Sequence, residues 1–230
     1  AQNMLMKLEA DDINLHVAEA KVRMAQCKIM LKNYDEAVKY LSESISIFAE
    51  DDQIFYYKGI ASDSIKDYQT AAICYAKSIE ILNLSLQKKT ISQNNYDSLK
   101  SIYLVRLGNT QLSMFDYIGA YESYNNAIKL NSKSPELYLT RAIINLQNNQ
   151  LNEALSDLKK IEDLKFTSYQ FYLIKAKVLK KAGQFNQALE NLEPIVVNDT
   201  AFHARLLKGQ CLESIGKYEE AQIAYKMANM

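Results

Sequence analysis

Tyr34-Asp35-Glu36-Ala37 returns along the chain as Tyr68-Gln69-Thr70-Ala71, Tyr117-Ile118-Gly119-Ala120, Leu151-Asn152-Glu153-Ala154, Phe185-Asn186-Gln187-Ala188 and Tyr218-Glu219-Glu220-Ala221. Each copy sets a bulky apolar residue three positions before an alanine. The alanines are separated by 34, 49, 34, 34 and 33 residues, and 49 exceeds the common period by 15. A fixed period of this length marks an array of supersecondary units, each too small to bury its apolar face alone.

With that alanine as position 20, six units begin near Ala18, Asp52, Ser101, Pro135, Tyr169 and Phe202. Position 8 holds Ala25, Gly59, Gly108, Ala142, Ala176 and Gly209, small in every unit. Position 24 holds Leu41, Tyr75, Tyr124, Leu158, Leu192 and Tyr225, always large. Positions 4, 8, 11 and 20, 24, 27 are spaced i, i+4, i+7, so each set shares one helix face. Two helices per unit, joined by a turn near positions 15–17, are expected to pack antiparallel. Small position 8 would meet small position 20, and position 24 would fill space toward the next unit. A leucine at either small site would overpack the contact, at a cost of about 1–3 kcal/mol. Asn33, Asp67 and Asp116 stand where they would cap the second helix, and Asn33-Tyr34-Asp35-Glu36 approximates a capping box.

Composition agrees with an all-α chain. Apolar residues make up 48%, enough for a core and too many for wholesale disorder. Six Gly and two Pro in 230 residues are few for a strand-rich fold. Lys+Arg and Asp+Glu both number 27, so the basic footprint of a nucleic-acid binder is missing. No apolar run reaches the roughly 18 residues that would insert into a membrane, and no signal peptide is visible. Cys27, Cys74 and Cys211 are sparse and unpaired in spacing. That pattern points to a reducing intracellular compartment, the cytoplasm ahead of the nucleus.

Small residues at 8 and 20 with aromatics between them resemble the tetratricopeptide repeat (TPR) family, over Ala18 to Met230. The resemblance implies a right-handed α-solenoid of helical hairpins. Departures are local. The family's proline near position 32 is missing throughout. Position 7, usually leucine, is Lys58, Arg141, Lys175 or Lys208 in four repeats, and position 27, usually small, is Ile161 and Ile195 in repeats four and five. Looser packing is expected at those isoleucines. Pro194 falls inside a second helix, which it should bend or shorten.

The insertion, near residues 86–100, carries the polar stretch Thr90-Ile91-Ser92-Gln93-Asn94-Asn95. Two lengthened helices forming an elongated hairpin between repeats two and three are expected, with the tip near Gln93–Asn95; a plain loop is the alternative. Residues 1–17 read either as part of a preceding repeat, with Met4–Ala10 as its second helix, or as an N-terminal capping helix. Residues 18–230 read as the TPR domain. The chain opens on Ala1 and stops at Met230, position 29 of repeat six, before a polar-faced cap. Both ends suit a piece of a longer array or a subunit held in an assembly, where the uncapped repeat could make end-to-end contact.

No reaction chemistry emerges. There is no GxGxxG, phosphate loop, HExxH or CxxC, and His16 and His203 lie far apart. Cys27 and Cys211 occupy position 10 of first helices, a packing position. No enzyme, cofactor or metal site is expected. Stacked repeats yield an extended binding surface, which the resemblance assigns to first-helix positions 2, 5, 6, 9, 12 and 13. Those positions hold Tyr56, Tyr57 and Ile60; Val105, Arg106 and Asn109; Leu139 and Ile143; Leu173, Ile174, Lys177, Lys180 and Lys181; Leu206 and Leu207. An apolar partner helix or extended peptide suits most of this surface, and an acidic segment suits the lysines. The carboxylate clamp of chaperone-binding members is missing, since its positions hold Val22, Gln26, Tyr57, Ile102 and Arg106. Two functions follow: a scaffold subunit of a multiprotein assembly, or an adaptor or co-chaperone region that captures peptides or unfolded clients.

Overall fold

A computed structural model describes residues 2–197 and 201–229, with side chains from Ile13 onward. Among these residues every regular element is an α-helix: α1 (Gln2–Met30), α2 (Tyr34–Ile47), α3 (Asp52–Ser64), α4 (Tyr68–Gln87), α5 (Gln93–Ser113), α6 (Tyr117–Leu130), α7 (Pro135–Gln147), α8 (Leu151–Asp163), α9 (Tyr169–Lys181), α10 (Phe185–Val196), α11 (Phe202–Ser214) and α12 (Tyr218–Ala228). They form two compact units, Ala1–Ser132 with α1 to α6 and Lys133–Met230 with α7 to α12. Within each unit consecutive helices pack as hairpins, and each hairpin packs on the next.

One backbone device makes every turn inside a repeat. Lys32, Lys66, Phe115, Asn149, Gly183 and Gly216 all stand at position 15, and all have φ between 58° and 79°. The Lys66 N–H reaches the Asp63 carbonyl at 3.0 Å, and the Asp67 N–H reaches that of Ser62 at 2.9 Å. The other five turns repeat this pairing, which satisfies carbonyls that the helix end would leave bare. Position 16 closes the turn and opens the next helix. Asp67 accepts from the Thr70 N–H at 3.2 Å and Asp116 from the Gly119 N–H at 3.0 Å. Capping by Asn33 does not form; its amide donates instead to Glu36 at 2.8 Å.

Position 8 faces position 24 more closely than position 20. A Cβ on Gly59 would lie 2.6 Å from the Tyr75 ring, and one on Gly108 would lie 2.8 Å from the Tyr124 ring. Gly209 is covered in the same way by Tyr225. Repeats with alanine at 8 carry leucine at 24. The small site therefore admits a ring from the facing helix, and its size is matched to that ring. Around these contacts the core is apolar: Leu41, Ile54, Tyr75, Leu82, Tyr103, Ile144, Leu158 and Leu192 are each almost wholly buried.

Other departures from family composition have local causes. Ile161 and Ile195 are buried, so position 27 is filled rather than loose. In three of these repeats position 7 turns its charge onto carboxylates of second helices: Arg141 grips Asp157 of α8 through Nε at 3.0 Å and Nη2 at 2.6 Å. Lys175 reaches Glu162 of α8 at 2.6 Å, and Lys208 reaches Glu193 of α10 at 2.8 Å. Pro194 sits inside α10, which continues to Val196. The Arg205 guanidinium donates to the Val196 carbonyl at 3.1 Å, so α11 caps the end of that helix.

The helices flanking the insertion are long, 20 residues in α4 and 21 in α5. Their turn spans 88–92 with Lys89 at φ 57°, ahead of Gln93–Asn95, which begin α5. Ser92 caps α5 by accepting from the Asn95 N–H. At the N-terminus α1 runs unbroken for 29 residues, so no turn separates Met4–Ala10 from the first helix of repeat one. The side chains of Met4–Ala10, and the chain ends Ala1 and Met230, lie outside the described residues.

Candidate functional site

In the second unit the first helices of three repeats, α7, α9 and α11, border one open hollow of about 390 Å³. Its lining is Leu146 and Gln147 from α7, Lys177, Lys180 and Lys181 from α9, and Leu207 and Gln210 from α11. Two of the lysines are fixed by neighbours. Lys180 Nζ donates to Gln210 Oε1 at 2.6 Å, and Lys181 Nζ donates to the Leu146 carbonyl at 3.1 Å. Both acceptors are neutral, so the ammonium charges stay uncompensated there, and no carboxylate lines the hollow. Three cations beside two leucines favour an anionic segment with apolar side chains. Lys175 is not part of this group; it pairs with Glu162 and lies 5.9 Å from the centre of the Phe171 ring.

The other residues expected at a binding surface are less united. Leu173 is buried in the core of the second unit, and Leu139 and Ile143 are half-buried outside the hollow. In the first unit the Tyr56 ring lies tilted 4.8 Å from that of Tyr103 and meets that of Tyr57 edge-on at 5.4 Å, so both rings serve partly as packing. Ile60 and Val105 are half-buried, Arg106 is exposed, and exposed Asn109 accepts from the Tyr124 hydroxyl at 2.7 Å. Leu146, Gln147 and Gln210 are lining residues missing from the expected set. They occupy positions 12, 13 and 9, the positions of Lys180, Lys181 and Lys177, so the periodicity that marks the lysines also marks them.

A second hollow, about 560 Å³, is walled by α10 and α12 with α11 between them. Here the Arg205 guanidinium is held by carbonyls of Val196 and Met227, and Lys208 by Glu193. Among the described residues no three His, Cys, Asp or Glu side chains gather as a metal site, and no helix is long and apolar enough to cross a membrane. Cys74 and Cys211 are buried, and burial pushes both thiols up.

A family model described as tetratricopeptide repeat matches residues 175–228, and another of the same description matches residues 18–51. Both matches fall in the register that all six hairpins share, so these stretches are tetratricopeptide repeats. A TPR repeat-containing protein of Methanocaldococcus jannaschii is 23% identical over 207 residues, 86% of this chain and 34% of that protein. The DnaJ homolog subfamily C member 7 of Mus musculus is 27% identical over 207 residues, 84% of this chain and 40% of that protein. The chain thus spans a minor part of the length of both relatives. Among solved structures, a tetratricopeptide repeat protein from Parabacteroides merdae superimposes with a TM-score of 0.72 at 14% identity, covering 91% of this chain and 77% of that one. YrrB, described as a TPR protein with an unusual peptide-binding site, superimposes with a TM-score of 0.64 at 13% identity, covering 95% and 97%.

Proposed function

We propose that the chain is a protein-interaction scaffold whose second unit holds an acidic, partly apolar segment of a partner across α7, α9 and α11. The observation that carries this reading is the convergence of Lys177, Lys180 and Lys181 with Leu146 and Leu207 on one hollow free of carboxylates. Extended backbone fits best, because alternate side chains could meet lysines and leucines in turn. A peptide-binding site in the fold neighbour YrrB supports the class of ligand.

A short peptide of alternating glutamate and leucine tests the reading by calorimetry. Binding should weaken as NaCl rises from about 50 to about 300 mM, because exposed charges are then screened. The Lys177→Glu/Lys181→Glu chain should bind weakly and lose that salt dependence. Equal binding by the original and doubly substituted chains would remove the proposal. Likeness to a DnaJ homolog over most of this chain favours a second reading, an adaptor that captures peptides transiently. An adaptor would remain free of fixed partners on purification, whereas a scaffold subunit would retain them.

A further inference from the structure

The hollow between α7, α9 and α11 offers hydrogen-bond donors almost to the exclusion of acceptors. The cations at position 7 of the same three helices, Arg141, Lys175 and Lys208, each meet a carboxylate. Lys177, Lys180 and Lys181 do not. Lys180 and Lys181 each commit one N–H to a neutral oxygen, of Gln210 and of Leu146, and keep their other donors. Lys177 has no partner among the described residues. An ammonium only donates, so its contact with Lys180 turns the Gln210 oxygen toward that lysine. The Gln210 amide N–H groups are left without an acceptor among the described residues. Of the lining side chains only Gln147, exposed at the edge, brings an uncommitted acceptor. The acidic side chain of α11, Glu213, lies outside the lining and accepts from the Tyr225 hydroxyl at 2.7 Å.

We infer that this hollow takes a phosphorylated side chain: the partner segment presents a phosphoserine or phosphothreonine to the lysines, with an apolar residue beside it on Leu146 and Leu207. The inference rests on the peptide-binding role proposed above and names its preferred ligand. A glutamate brings a single charge on two oxygens and leaves most of these donors unanswered. A phosphate monoester carries close to two charges at neutral pH on three strongly accepting oxygens. Lysine meets phosphate as a point charge, so the cluster needs no planar match to its ligand. Lys180 and Lys181 are already held by Gln210 and Leu146, which leaves less side-chain freedom to lose on binding. A hollow set between three helices admits a chain segment, whereas a flat bilayer would rest on its rim. A phosphate on a protein therefore fits better than one on a lipid headgroup.

Calorimetry with the intact chain compares three peptides of alternating glutamate and leucine: the parent, one with phosphoserine at its central glutamate, and one with serine there. The phosphoserine peptide should bind about ten-fold more tightly than the parent, and the parent more tightly than the serine peptide. Gln210→Leu removes an amide donor and the prop of Lys180. With its helical circular dichroism intact, this variant should show a phosphoserine advantage of about two-fold or less. Equal affinity for the phosphoserine and parent peptides would overturn the inference and leave the acidic-segment reading standing. Binding of none of the three would remove both. A phosphoserine advantage that survives Gln210→Leu would also overturn it, because the selectivity would then arise outside this donor set. Tighter binding to vesicles of a phosphomonoester lipid than to the phosphopeptide would overturn it in favour of a headgroup.

Discussion

Tyr75 and Gly59 show how one residue sets the size of another. The ring occupies the space where a methyl group on residue 59 would sit, 2.6 Å away, and the Tyr75 hydroxyl finds no hydrogen-bond partner among the described residues. Gly59→Ala should cost about 1–3 kcal/mol through overpacking. Pairing it with Tyr75→Leu recreates the alanine–leucine combination of repeats one, four and five. Chemical denaturation should show the double substitution costing at least about 1 kcal/mol less than the sum of the single ones; additive losses would mean that the contact is not what matches the two sizes. A different strain sits at Phe115, exposed and at φ 61°. L side chains pay about 1–2 kcal/mol in that region, so Phe115→Gly should stabilise the chain by about 0.5–1 kcal/mol after the flexibility of glycine is counted. The small sites were legible in the sequence as small. Their partner was not, because periodicity places residues on a face without saying which facing side chain enters the gap. The left-handed turn residue was hidden for a related reason: glycine marks it only at Gly183 and Gly216.

Titrating carboxylates along and between the helices are displaced in both directions. Glu36 and Glu43 are held below the ordinary carboxylate range chiefly by hydrogen bonds from Lys28 and Lys21. A depressed folded value means stability present above the unfolded value and lost as acid protonates the folded carboxylate. Asp51, the cap of α3, is displaced the other way because burial penalises its charge, even though it accepts from the Gln53 N–H at 2.8 Å. Its ionised form therefore burdens the folded state above the unfolded pKa, and the burden lifts as pH falls. Asp51→Asn keeps the acceptor without the charge. Thermal melts should show this variant more stable than the original at pH 7 and equal to it near pH 3; a gain that persists in acid would mean that charge is not the cause. The lengths of α4 and α5 follow from the 15-residue excess in one period, visible in the spacing of the alanines. The position of their turn was less visible, since Lys89 adopts the left-handed conformation without a glycine and Ser92, not the asparagines, caps α5.

At the scale of the whole molecule, function rests on what repeated hairpins leave uncovered. Identical spacing brings positions 9, 12 and 13 of successive first helices to one surface, and in the second unit that surface becomes a cationic hollow with leucine beside it. Lysines at those positions are readable from a six-fold register. Burial of Leu173 and the packing of Tyr56 against Tyr103 are not, because first-helix position 5 serves core and surface alike. The most direct measurement is a map of backbone amide shifts in the isotopically labelled chain as the glutamate–leucine peptide is added. Shifts should concentrate at Leu146, Lys177, Lys180, Lys181, Leu207 and Gln210 and leave α1 to α4 unmoved. Shifts gathered between α10 and α12, or none at peptide saturation of a control binder, would contradict the account.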